Sequence, residues 1–162
     1  MVSHMRDFMN KFLLLCLMLT PLLCSAERVE RYIGELYENR QPRGLVAATV
    51  RPATDGYDFA ATSLQLGEDG EHSVQTLYYK VNAAEKSAVV TNEEGDVVGH
   101  ATFVGDAGSW SEIITTFDGS RIHEWITPEK RRVVEQITSN GTIYCVNLYP
   151  VNHAMQDFIE NH

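Results

Sequence analysis

The residues best placed to do chemistry lie on the two segments that flank Asp118-Gly119. That dipeptide is a two-residue hairpin signal, because a type I′ turn needs positive φ at both central positions. Counting outward from it, Trp110, Glu112, Ile114 and Thr116 stand opposite Thr127, Trp125, His123 and Arg121. Ser111, Ile113 and Thr115 oppose Ile126, Glu124 and Ile122 on the other face. Two tryptophans with a histidine, a glutamate and an arginine have the composition of a ligand-cavity wall, with apolar surface for a guest and a few polar groups to orient it. The same composition suits an outer face on which Trp125 covers the sheet while Glu112, Arg121 and His123 meet water. The functional expectation takes the first arrangement and places Trp110, Glu112, Ile114, Arg121, His123 and Trp125 around a ligand.

Catalytic alternatives are thin. His123 and Glu112, on adjacent strands, form a pair within reach of general acid–base work. His123-Glu124 is not the zinc-protease pattern, which needs a second histidine one helical turn later. His72, His100, His123, His153 and His162 are scattered, so neither a metal nor any other cofactor is expected. Cys145 falls inside a strand run, away from the helix starts that activate thiols, and no Ser-His-Asp signature is present. The loop Gly105-Asp106-Ala107-Gly108-Ser109 lacks the strand-to-helix context of a phosphate site. Within it, Gly108-Ser109-Trp110 is similar to the G-x-W triplet of lipocalins, but it stands in the second half of the chain instead of on a first strand, so no residue role is carried across.

The elements that must position these residues are mostly strands. Short β-rich runs separated by turns cover 45–51, 57–66, 73–81, 86–92, 97–104, 110–117, 120–127, 131–138 and 142–149, a spacing that predicts an antiparallel meander. Asn140-Gly141, taken as a two-residue loop, pairs Ile137 with Tyr144, Glu135 with Val146 and Val133 with Leu148 on the face assigned to the core. Asp55-Gly56 and Glu94-Gly95-Asp96 close two further hairpins, and Asn140-Gly141-Thr142, a formal glycosylation sequon, is accounted for as a turn. Ahead of the strands, Val29, Ile33, Leu36 and Tyr37 fall at helical spacing with Glu27 and Glu30 in a first turn, predicting an amphipathic helix over 27–40 that Gln41-Pro42-Arg43-Gly44 ends. Behind them, Asn152 as N-cap with Met155, Phe158 and Ile159 predicts a short C-terminal helix. The expected fold is mainly β: an up-and-down barrel or strongly curled sheet, similar in layout to calycin barrels, with the N-terminal helix across one opening or face. The alternative is α+β, with that helix in the concavity of an open sheet.

At the scale of the whole chain, Met9-Asn10-Lys11, the apolar stretch from Phe12 to Leu19, Pro21 and the exit Cys24-Ser25-Ala26 read as a secretory signal peptide over 1–26, with translation starting at Met1 or Met9. A single exported domain over 27–162 follows, periplasmic or extracellular. Leu23 is too bulky for a lipobox at Cys24, so a lipid anchor is not expected. Cys145 is then the sole cysteine left. Of 13 basic and 22 acidic residues, Arg6, Lys11 and Asp7 leave with the leader, so 11 face 21 in the mature chain. That acidity disfavours nucleic acid and anionic membranes, which need clustered Lys and Arg. The expected partner is a small apolar or amphipathic ligand held without catalysis. An acidic inhibitor or interaction module that meets a basic protein through the loops at 67–71 and 105–109, or an enzyme using His123 and Glu112, are the alternatives.

Overall fold

The computed structural model describes residues 29–151 apart from 107, 108, 118, 129 and 130. These residues form ten strands: β1 Glu30–Glu38, β2 Gln41–Pro52, β3 Phe59–Gly67, β4 His72–Asn82, β5 Ser87–Thr91, β6 Val97–Asp106, β7 Ser109–Phe117, β8 Ser120–Ile126, β9 Arg132–Ile137 and β10 Ile143–Pro150. Each pairs antiparallel with its sequence neighbours, and β1 pairs with β10, so the meander closes into a barrel. The nine runs read from residue 45 onward correspond in order to β2 through β10.

The segment read as an amphipathic helix is strand β1, which corrects both the helix over 27–40 and the α+β alternative that depended on it. Tyr32, Gly34 and Leu36 point inward, yet Ile33 and Tyr37 on the outward positions are apolar too, so period two was hidden and a period near 3.6 was mimicked. The missed signal is Asn39-Arg40. Both residues have positive φ, 46° and 70°, and Glu38 pairs with Gln41 across them, which makes a two-residue type I′ loop. The leader over 1–26 and the C-terminal helix beginning at Asn152 lie outside the described residues.

The last hairpin also differs from expectation, by one residue. Ile137 pairs with Ile143, and the Thr138 amide donates to the Thr142 carbonyl while that of Gly141 donates back to Thr138. The loop therefore holds three residues, with Gly141 at φ 85° in the left-handed position. Thr138 Oγ1 and Asn140 Oδ1 both accept from the Thr142 amide and hold the wider loop open. The same backbone pattern recurs at 67–71 and 92–96, where Gly70 and Gly95 take the corresponding place. Tyr144, Val146 and Leu148 thus share the inner face with Gln136, Val134 and Arg132.

The connections from β1 to β2, β3 to β4, β5 to β6, β7 to β8 and β9 to β10 lie at one end of the barrel, here the turn end. Residues 29 and 151 leave from the other, the terminal end. There the interior is packed with Tyr32, Val50, Phe59, Tyr79, Phe103, Ile113 and Leu148. Phe59 and Tyr79 are directly opposite in register and stack at 4.7 Å between ring centroids. Each large side chain buried in this way contributes roughly 1.5–3 kcal/mol. Arg31, Glu35, Lys80, Glu112, Arg121 and Glu135 occupy outward positions. Among the described residues no helix is long and apolar enough to cross a membrane.

Candidate functional site

The hairpin β7–β8 has the register expected of it: Glu112 opposite Trp125, Ile114 opposite His123 and Thr116 opposite Arg121. Its buried residues, however, are Ile113, Thr115, Ile122 and Glu124, the alternate set. Glu112, Ile114, Arg121, His123 and Trp125 therefore stand on the outside of the barrel, and Trp110 is on β7 opposite Gly105. The expectation that this face lines a cavity is corrected by strand parity: one face of the hairpin must go inward, and it is the one that carries Ile113, Thr115, Ile122 and Glu124. The predicted pair does form. His123 Nε2 lies 2.9 Å from Glu112 Oε2, and the His123 ring packs 4.8 Å from that of Trp125, with Glu135 directly across on β9. The pair is well exposed, with Glu112 at 42% and His123 at 35%, so water competes with any reacting group it would hold. Cys145 also faces outward, opposite Glu135, and burial, reinforced by that carboxylate, raises its thiol pKa, which leaves it a poor nucleophile.

Inside the barrel two polar groupings stand apart. At the terminal end Arg132, 2% exposed, donates from Nη1 to Glu124 Oε1 and from Nη2 to Glu30 Oε2, each at 3.3 Å. Its guanidinium sits 4.3 Å over the Tyr32 ring, and the Tyr32 hydroxyl donates to Glu30 Oε2 at 2.7 Å. Burial raises the Tyr32 phenol pKa far above its ordinary value, against the smaller opposing effect of Arg132, and the bond to Glu30 adds to the rise. Three charges from β1, β8 and β9 thus tie the closing strand to the strands opposite its partner.

The second grouping belongs to the turn end. Ser63 and Gln65 on β3 face inward, with Gln75 and Ser73 directly opposite them on β4. Gln65 Oε1, Ser73 Oγ and Gln75 Oε1 are buried with no hydrogen-bond partner among the described residues. Each such atom costs about 1–3 kcal/mol. Gln136, Tyr144 and Ser120 are buried inward at the same end. On the outside of the same strands the polarity is inverted as well. Tyr149, Ile33, Ala47, Leu64 and Val74 form a row across β10, β1, β2, β3 and β4, and Leu45 faces Leu66 beside it. Val74 is 58% exposed.

Sequence reasoning missed this grouping because it weighs apolar residues as inward ones. On β3 the alternation of Phe59, Ala61, Ser63 and Gln65 turns from apolar to polar midway, while Leu64 and Leu66 take the other face. The anchoring of Phe59 on Tyr79 and of Ala61 on Leu77 near the terminal end fixes the parity for the whole strand. The usable signal was the repeated Ser-x-Gln at 63–65 and 73–75, placed to meet across one hairpin.

What the fold and interior define is a closed antiparallel barrel whose largely apolar interior holds an ion cluster around Arg132 at the terminal end and an uncharged polar patch on β3 and β4 at the turn end. No family model, curated protein or solved structure matches the chain.

Proposed function

We propose that this is an exported, non-catalytic binding protein that holds a small amphipathic molecule inside its barrel. The observation that carries the reading is the uncharged polar patch of Ser63, Gln65, Ser73 and Gln75 on the inner wall at the turn end, which continues along β3 and β4 into Leu77, Phe59 and Tyr79. The parity anchored by Phe59, Ala61, Leu77 and Tyr79 leaves Leu64, Leu66 and Val74 outside and puts polar side chains at the inward positions of the turn end, where apolar ones would stabilise a core better. A fold that departs locally from the pattern which would best stabilise it is most simply explained by a use for the departure. Strand number supports the same reading. Eight strands enclose an interior that side chains just fill or that holds one small ligand, and ten enclose a wider one. Small inward residues, Ala48, Ala61, Ala88 and Ala101, reduce what fills it.

The test is intact mass of the purified protein under native and denaturing conditions. The expected result is an added mass that disappears on denaturation, or that appears when a medium-chain amphiphile is supplied. A bare chain that takes up no amphiphile overturns the reading. A variant with Glu112→Gln and His123→Ala is expected to retain binding, since both residues are on the outer face.

A further inference from the structure

On the basis of that binding reading, we infer that the guest is an uncharged amphiphile whose hydroxyl or carboxamide head group meets Gln65, Ser73 and Gln75 at the turn end, with its hydrocarbon directed towards Leu77, Phe59 and Tyr79. The first support is the state of the three side chains. Gln65 is 6% exposed, and its Oε1, the Ser73 Oγ and the Gln75 Oε1 are buried without a partner among the described residues. Gln65 faces Ser73 across the hairpin and Gln75 faces Ser63, so the groups form one patch on the inner wall next to the 68–71 turn. The unpaired atoms are two amide oxygens, which accept, and a hydroxyl, which accepts or donates. Their complement is a group with a hydrogen to donate and no net charge: an alcohol or a primary amide.

The second support concerns charge. A carboxylate or phosphate head group drawn out of water needs a cation beside it. Arg132, the arginine buried in the interior, lies at the opposite end, where Glu30 and Glu124 bind it and the Tyr32 ring stacks against it. At the turn end the Arg43 guanidinium is already paired with Glu38 at 2.8 Å. Length is the third consideration. Phe59 lies six positions from Gln65 along β3, about 20 Å of wall at 3.3–3.4 Å per residue, so a medium-length chain anchored at the polar patch fits along this wall in the direction of the aromatic end.

Decan-1-ol, decanamide and decanoate, matched in chain length, are the probes, titrated calorimetrically into the purified protein at pH 8 where decanoate is ionised. The alcohol and amide are expected to bind at least about tenfold more tightly than the acid. The double variant Gln65→Met, Ser73→Ala is expected to lose about tenfold in affinity for the alcohol while its affinity for decanoate stays unchanged. Decanoate binding as tight as decan-1-ol, or a preference that survives in the double variant, overturns the inference while leaving the barrel a binder. Failure of all three probes to bind removes the binding reading itself. A second measurement guards against misfolding: Gln65→Met alone, which keeps the side-chain length and removes the unpaired amide, is expected to melt at or above the temperature of the unaltered protein. A clear fall in melting temperature would mean that the amide is already satisfied in the empty barrel, and would also overturn the inference.

Discussion

At Arg132 the interior holds a guanidinium between two carboxylates and over an aromatic ring, all close to the barrel's point of closure. Buried ion pairs owe much of their apparent value to what is left behind when one member goes. Arg132→Met leaves Glu30 and Glu124 inside without their shared cation, and the expected loss is about 3–5 kcal/mol in denaturant unfolding at pH 7. The tyrosines make stability depend on alkaline pH. Burial raises both Tyr32 and Tyr144, so each stays neutral in the fold while the unfolded chain ionises near pH 10. Stability from these two residues is complete below pH 10 and falls as pH rises beyond it. Absorbance at 295 nm should show part of the tyrosine signal appearing only with unfolding.

At the level of elements, turns decide which faces go inward, and they divide the legible from the illegible. Strands β2 to β10 were readable because each is a β-rich run between turn residues, and the β7–β8 register followed from Asp118-Gly119 alone. Strand β1 was not, since Ile33 and Tyr37 put apolar groups on both of its faces and Asn39-Arg40 has no glycine to announce a type I′ loop. The β9–β10 register was lost because the Asn-Gly pair sits in a three-residue loop, held by Thr138 and Asn140 side chains that no dipeptide rule weighs. The candidate site suffered from the same gap. The sequence could place Trp110, Glu112, His123 and Trp125 on one face, but which face is inside depends on nonlocal closure. Two substitutions test the elements. Arg40 has φ 70°, a conformation that costs a residue with a side chain about 1–2 kcal/mol, so Arg40→Gly is expected to raise unfolding stability by roughly 0.5–1 kcal/mol. Gly34 on β1 approaches β10 so closely that a Cβ would lie 1.8 Å from the Asn147 carbonyl oxygen. Gly34→Ala must force β1 and β10 apart, and a loss above about 3 kcal/mol, read in the same denaturant titration, is expected.

For the molecule as a whole, closure is the pairing that joins the most distant parts of the described chain, because β1 and β10 are its first and last strands. Pairings of such sequence separation are slow to form, and until then β1 and β10 present bare edges. The Arg31 carbonyl accepts from the Val151 amide at 2.9 Å, so the two ends of the described chain are neighbours. The barrel is in that sense a ring of hairpins cut once. Nothing in the pairing distinguishes the cut from any of its turns, so the starting strand is a matter of gene order. A circular permutant that joins 29 to 151 through a short flexible linker and opens at 139–141 should recover the same barrel, with β10 now leading the chain and its pairing with β1 made local. Faster refolding at similar stability in stopped-flow measurements is the expected outcome, and a permutant that cannot fold would show that the order in which the strands emerge is itself required.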